Sequence, residues 1–439
     1  MSISVPPLPQ SSGINESGHL EVGGCDVVSL ADEFGTPLYV YDENHLRERC
    51  REYVRSFSSN TENFEIVYAS KAFTCIAMCQ LVAQEGLSLD VASGGELHIA
   101  IKSGFPLRRI YLHGNANSRS ELRQALEAGV GHVVVDSLDE LRTLDELAGE
   151  LGLKQPILLR ITPGIEAHTH EFIQTGKLDS KFGLCLADGV AAAAVTAAMS
   201  AANLELLGVH AHIGSQIFTV EPYQKTVSVL AEFLSDCKRE HSFECSILNL
   251  GGGLGAVYTA GDDPPGIDAL GAAVFKCVSE EMQQRNLPVP RIVVEPGRSI
   301  TANAGLTAYR VQAVKTVPGI RTFVAVDGGM SDNLRPVLYG ARYDAIIAGR
   351  PDAEADTTVT VAGKHCESGD ILVRDIDLPK PAAGDILVTP STGAYGYSMA
   401  SNYNGQPRPA VLFVNGGKAR VIIRRESHED LVHLHQQLE

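Results

Sequence analysis

A chain of 439 residues with 44% hydrophobic content is long enough for two domains, or for one large barrel with an accessory, and rich enough for a buried core. Its formal charge of −17 excludes the basic footprint that nucleic acids and anionic membranes select. Nine scattered cysteines form no CxxC pair and no His/Cys metal pattern, which points to a reduced, intracellular protein without a metal.

Met1–Glu16 is rich in Pro and Ser and lacks a basic start and an apolar core, so it reads as a flexible tail and not a signal peptide. No apolar run is long enough to span a bilayer, and the cytoplasm is the expected compartment. From Leu38 to about Gly305 one pattern recurs: a short apolar run, a polar or Gly-rich stop, then a helical stretch. The runs are Phe64–Ala69, Leu87–Ala92, Arg109–His113, His132–Asp136, Ile157–Ile161, Leu206–Ile213, Ser246–Leu250 and Arg291–Glu295. Ser118–Ala128, Leu138–Leu151, the alanine-rich Ala191–Ala202 and Tyr223–Glu240 read as helices between them. Eight strands alternating with helices predict a parallel (β/α)8 barrel over residues 38–305. After Leu306 the runs Thr322–Val326, Thr357–Val361, Asp385–Thr389 and Ala410–Val414 are short and separated by Gly, Pro and Asp turns, before a final helical stretch at Glu429–Gln437. They predict a mostly antiparallel β domain of residues 306–439 that also takes in residues 1–37, with Gly18–Val22 as an added strand. The fold class is α/β.

In such a barrel, chemistry sits at the C-terminal ends of the strands. Lys71 follows the first run in Tyr68-Ala-Ser-Lys71-Ala72, a lysine placed to form a Schiff base. Asp90, His113, Arg160, His210, His212 and Ser215 stand at or near later strand ends. Any lone histidine there reads more simply as a satisfied core residue. Gly251-Gly252-Gly253 and Glu295-Pro296-Gly297-Arg298 fall after the seventh and eighth strands, where barrels hold phosphate, with a helix N-terminus expected directly behind the three glycines. A tight turn is the competing reading of the glycines, and an ion pair with Arg298 that of Glu295. A lysine beside a phosphate cradle suggests pyridoxal phosphate, with Glu295 on the ring nitrogen and His212 on the ring face. In the β domain, Cys366 lies in a polar loop with Glu367, suited to an exposed thiol. Arg335 suits capture of a carboxylate, although taken alone it reads as a surface charge.

In this order, Tyr68-Ala-Ser-Lys71-Ala72, His113-Gly-Asn115, Ser180-Lys-Phe-Gly183, His210-Ala-His-Ile-Gly-Ser-Gln216, Leu250-Gly-Gly-Gly-Leu-Gly255, Glu295-Pro-Gly-Arg298, Arg335-Pro-Val-Leu-Tyr339, Cys366-Glu-Ser368, Gly393-Ala-Tyr395 and Ser401-Asn-Tyr-Asn404 resemble the fold-type III pyridoxal-phosphate decarboxylases. The resemblance runs from about Gly35 to the end of the chain. It implies that Lys71 carries the cofactor, that Glu295 partners the ring nitrogen and that His212 stacks on the ring. It further implies that Asp90, Arg160, Ser215, Gly251, Gly252, Gly253, Pro296, Gly297, Arg298 and Tyr395 contact the cofactor. Arg298, Arg335, Tyr339, Glu367 and Tyr395 would hold the substrate, Cys366 would donate the proton, and a homodimer would share its sites. The implied reaction is conversion of meso-2,6-diaminopimelate to L-lysine. Related decarboxylases of ornithine, arginine or carboxynorspermidine act on substrates without the distal carboxylate that the arginines suit. An alanine-racemase-like enzyme would carry arginine where Glu295 stands, and a non-catalytic homologue would not need Lys71 and Cys366. Two stretches depart from the family pattern: Arg342-Tyr343 stands where a histidine is common, and the run Gly405-Gln-Pro-Arg408-Pro-Ala-Val411, despite Arg408, is missing an arginine and a glutamate often found near Asn404.

Overall fold

Every one of the eight apolar runs forms a strand: β1 (Phe64–Ala69), β2 (Ser88–Val91), β3 (Ile110–Leu112), β4 (His132–Val135), β5 (Gln155–Thr162), β6 (Leu204–His210), β7 (Ile247–Asn249) and β8 (Arg291–Val294). Each pairs in parallel with the next, and β8 pairs with β1, so the sheet closes into a barrel. Val67, Tyr111, Val134, Leu158, Ile247 and Val293, with Leu207 packed against them, bring one side chain from each of seven strands to a common core. Burial on both faces explains why these strands read as continuous apolar runs.

Three of the βα turns share one device. Ser93, Ser118 and Ser137 cap the helices that follow β2, β3 and β4, each accepting the N–H of the glutamate three residues on, Glu96, Glu121 and Glu140. Each glutamate also reaches into the loop after the preceding strand. Glu96 accepts from Ser70 at 2.9 Å, Glu121 from the Gly94 N–H at 3.1 Å and Glu140 from Asn117 at 2.8 Å. The C-terminal rim is thus fastened loop to loop.

The computed structural model describes residues 7–165 and 180–438. Its barrel unit comprises Arg49–Gly255 and Pro264–Gly297; a second unit comprises Met1–Glu48, Ala256–Asp263 and Arg298–Glu439. In the second unit a mostly antiparallel sheet is centred on Gly305–Val317, which pairs with Arg321–Val326, Ile386–Pro390 and Leu38–Asp42. Leu38–Asp42 also runs parallel to Ala410–Asn415. The sequence boundary at Leu38 therefore moves: this strand lies in the β unit, not the barrel, and Ala256–Asp263 joins it there. All five residues of Leu38–Asp42 are buried, so its pattern matches that of a barrel strand. The N-terminal segment supplies a small meander of Gly13–Ile14, Leu20–Val22 and Cys25–Asp26. Leu20 and Val22 join Leu38, Val40, Leu306, Val388 and Leu412 in one core. The expected tail is thereby corrected at Gly13–Ile14, which is strand; residues 1–6 lie outside the described residues. The last helix is His428–Val432. Among the described residues no helix is long and apolar enough to cross a membrane.

The β6–β7 contact depends on one missing side chain. The register of β6 shifts between Leu206 and Gly208, and a Cβ on Gly208 would stand 1.8 Å from the Ile247 carbonyl oxygen. Replacing Gly208 with Ala should destabilise the protein by about 1–3 kcal/mol, read as a lowered urea midpoint with an unchanged slope.

Candidate active site

The rim of the barrel gathers the polar residues that end its strands. Lys71 sits in the short helical turn Ser70–Ala72 that follows β1, its side chain exposed. Two contacts fix this turn. Ser70 donates to Glu96, and the Ala69 N–H donates to the Pro296 carbonyl at 3.0 Å, tying the end of β1 to the segment after β8. Gly297 closes the join, since a Cβ there would meet Ala69 and Ala72 at 3.1 Å. Asp90, on β2 beside Ala69, is buried. Burial pushes its carboxyl up to about 6, against the pull of His113 and Lys71.

Glu295 is the electrostatic centre of this unit. Its carboxylate is buried, with Oε1 2.9 Å from His113 Nε2 and Oε2 3.2 Å from His210 Nε2. Asn249 Nδ2 donates to Oε1 at 2.7 Å. Burial alone would raise the acid, but His113 and His210 outweigh it and hold it well below the carboxylate range. Burial would likewise lower His113, yet Glu295 and Asp90 raise it. His210 is driven down by burial to about 4 and stays neutral. The ligand atoms of these three residues lie within 4.8 Å of one another. Each imidazole Nε2 faces a different carboxylate oxygen, so the group is an acid held ionised by its neighbours.

The glycine run beside it is shaped by contact. The Glu295 N–H donates to the Gly251 carbonyl at 2.8 Å, and a Cβ on Gly252 would lie 2.1 Å from the Glu295 carbonyl oxygen. Gly251 and Gly253 both adopt positive φ. The Gly252 N–H donates to His212 Nδ1 at 3.2 Å, which orients that ring. Burial, Lys71 and Arg160 keep His212 well below the usual imidazole value, so it is a neutral, flat surface. Ser215 follows in the half-buried loop after β6. The helix expected directly behind the glycines is absent there; the next helix, Ile267–Gln284, begins well beyond them. Arg160, on β5, is buried with Nη1 3.7 Å from Asp136 and its guanidinium 4.4 Å over the Phe182 ring. The Ser180-Lys-Phe-Gly183 motif thus packs the arginine, with the Gly183 N–H donating to Asp136 at 3.0 Å.

The β unit holds a second cluster. Arg298 and Arg335 are both buried. Tyr258 lies between them: its ring sits 4.7 Å under Arg335 and 5.7 Å from Arg298, and its hydroxyl accepts from Arg298 at 2.6 Å. Tyr343 accepts from Arg335 at 2.5 Å, and Arg298 also covers the Tyr395 ring at 4.7 Å. Burial would raise the Tyr258 phenol, but Arg298 and Arg335 bring it below its ordinary value. Tyr395 carries a φ of 59°, unusual for an aromatic residue. Arg335 is therefore a buried cation and not a surface charge. Tyr258 and Tyr343 escaped sequence reasoning because their partners lie far away in the chain or in an ordinary-looking turn. Tyr339, on the short helix Arg335–Tyr339, is half-buried. Cys366 and Glu367 are exposed at the turn between Thr357–Ala362 and Ile371–Leu378, where the Cys366 N–H donates to Asn404 at 3.0 Å. Glu367 Oε1 in turn accepts the Gly369 N–H at 3.5 Å within the same turn.

Residues 43–302 match the family of the pyridoxal-dependent decarboxylase, pyridoxal binding domain. The chain is 49% identical to diaminopimelate decarboxylase of Bacillus subtilis (strain 168) over 427 residues, 97% of each chain. It belongs to the pyridoxal-dependent decarboxylases, among the diaminopimelate decarboxylases. A crystal structure of diaminopimelate decarboxylase from M. jannaschii in complex with L-lysine matches with a TM-score of 0.92 at 34% identity, covering 98% of both chains. The Helicobacter pylori enzyme complexed with L-lysine matches with a TM-score of 0.84 at 32% identity, covering 92% of this chain and 98% of its own. The cofactor of this decarboxylase family is pyridoxal phosphate, and the barrel rim fits it. An exposed lysine ends β1, an ionised acid ends β8, and three glycines whose Cβ atoms would strike neighbouring backbone follow β7.

Glu295 and His113 give opposite pH signatures. The depressed acid contributes stability above its ordinary 4.5, lost as pH falls through its folded value; the raised imidazole contributes below its ordinary 6.5, lost as pH rises through its folded value. The stability lost in Glu295→Gln should therefore be largest between pH 4.5 and 6.5 and shrink above it, as read by denaturant titrations across pH.

Proposed function

We propose that this protein decarboxylates meso-2,6-diaminopimelate to L-lysine and CO2 in the cytoplasm, as a homodimer. The observation that carries the substrate choice is the pair of buried guanidiniums, Arg298 and Arg335, lined by Tyr258 and Tyr343. Such a pair suits a carboxylate at the far end of the substrate and disfavours the bare amine of ornithine. The 49% identity to the Bacillus subtilis enzyme supports the same reading.

When bound, pyridoxal phosphate supplies an electron sink for the bond that releases CO2. Lys71 would hold the cofactor covalently through Nζ. Glu295 keeps a proton on the ring nitrogen, which only an ionised acid does well. His212 offers its ring face. Gly251, Gly252, Gly253, Ser215, Pro296, Gly297, Arg298 and Tyr395 would contact the cofactor and its phosphate, as would Asp90 and Arg160. Arg298, Arg335, Tyr339, Glu367 and Tyr395 hold the distal amino-acid group. Cys366 Sγ delivers a proton to the carbon that has lost CO2, so one proton replaces one carboxylate. The exposure of Cys366 and Glu367 fits a loop that completes the site of a second copy of the chain.

Purified protein should release CO2 from the meso compound in the presence of pyridoxal phosphate, but not from ornithine, arginine or the LL and DD isomers; release from ornithine alone would overturn the substrate choice. Lys71→Ala should lose both the visible cofactor absorbance and turnover. Cys366→Ala should lower kcat by roughly 10²–10⁴-fold with the absorbance intact. Mixing these two variants should restore activity if the sites are shared between copies, and sedimentation should show the dimer.

A further inference from the structure

The thiol loop is clamped from below. Asp370, four residues after Cys366, is almost fully buried, and both of its carboxylate oxygens accept backbone N–H groups. Oδ2 takes the His365 N–H at 2.9 Å, immediately before Cys366, and Oδ1 takes the Met330 N–H at 2.7 Å in a separate loop. Two glycines make room for this acid: a Cβ on Gly363 would stand 2.0 Å from Asp370 Oδ2, and one on Gly329 would stand 2.4 Å from it. His365 adds a second tie, since its Nε2 accepts the Ser331 N–H at 3.1 Å and its ring packs 5.5 Å from Tyr403. The Lys364 N–H reaches the Gly328 carbonyl at 2.9 Å. The turn also closes on itself, Gly363 N–H to the Asp370 carbonyl at 2.9 Å and Asp370 N–H to the Glu367 carbonyl at 3.0 Å. The result is an exposed Cys366 and Glu367 mounted on a base of buried, charge-assisted hydrogen bonds.

We infer that Asp370 and His365 are positioning residues for proton delivery: they fasten the Cys366 loop to the Gly328–Ser331 loop and so set where the thiol stands. This rests on the proposed role of Cys366. A side chain that must meet one carbon of a substrate gains from a fixed base, because a misplacement of about 1 Å costs on the order of a hundredfold in rate. Replacing Asp370 with Asn leaves one oxygen for two N–H donors and turns an amide group toward one of them. His365→Ala removes the acceptor for Ser331, whereas His365→Gln puts an oxygen close to the position of Nε2.

The test joins amide hydrogen exchange with steady-state kinetics on the holoenzyme. D370N and H365A should speed exchange in residues 364–370 by about tenfold, the loss of roughly one buried hydrogen bond. Both should lower kcat by roughly ten- to a hundredfold. Cofactor absorbance should stay within about twofold of wild type, KM should rise because Glu367 rides on the same loop, and H365Q should recover most of the exchange and kcat readouts. Unchanged exchange in D370N and H365A overturns the clamp. Faster exchange with wild-type kcat, while C366A is impaired, overturns the positioning role. Wild-type kcat in C366A instead defeats the assignment of Cys366, and the exchange rates then decide the clamp alone.

Discussion

A carboxylate that must stay ionised inside a protein is the constraint around which the barrel rim is arranged. Burial of Glu295 opposes its charge, and a lone buried carboxylate would take up a proton instead. Here His113, His210 and Asn249 all meet it at hydrogen-bond range. The consequences spread outward. Burial pushes His210 down to about 4, while Glu295 and Asp90 raise His113 above the ordinary imidazole value. Gly252 must be glycine because the Glu295 backbone lies against it, and that same glycine orients His212. The acid, the flat imidazole and the glycine run are therefore one structural decision.

The rim is rigid for a related reason. Capping glutamates on successive helices reach into neighbouring loops, and the one that meets Ser70 steadies the turn bearing Lys71. A flexible lysine needs such a mounting, because its four-carbon stem gives it little inherent direction. The second unit applies the same logic to charge of the other sign. Tyr258 separates two buried guanidiniums and accepts from one of them, which lets like charges share a small volume.

Much of this was legible in the sequence, for reasons tied to particular residues. The eight barrel strands announced themselves because burial on both faces forces unbroken apolar runs. The same rule misled at Leu38–Asp42, whose burial in the other sheet leaves an identical signature. Glycines gave away the turns at residues 251–253, but not the absence of a helix directly behind them. Lys71, Glu295 and Cys366 stood out by position and by motif. Tyr258 did not, since nothing local distinguishes a tyrosine that bridges arginines 40 and 77 residues further along. Asp370 belongs to no motif read from the sequence; its carboxylate matters because the chain brings Met330 to it.

Held ionised, Glu295 would keep a bound cofactor ring protonated. The most direct measurement is the ¹⁵N spectrum of enzyme reconstituted with ring-labelled pyridoxal phosphate at neutral pH. The expected result is the shift of a protonated pyridinium in the wild type and that of a neutral pyridine in Glu295→Gln. A neutral ring in the wild type would contradict it.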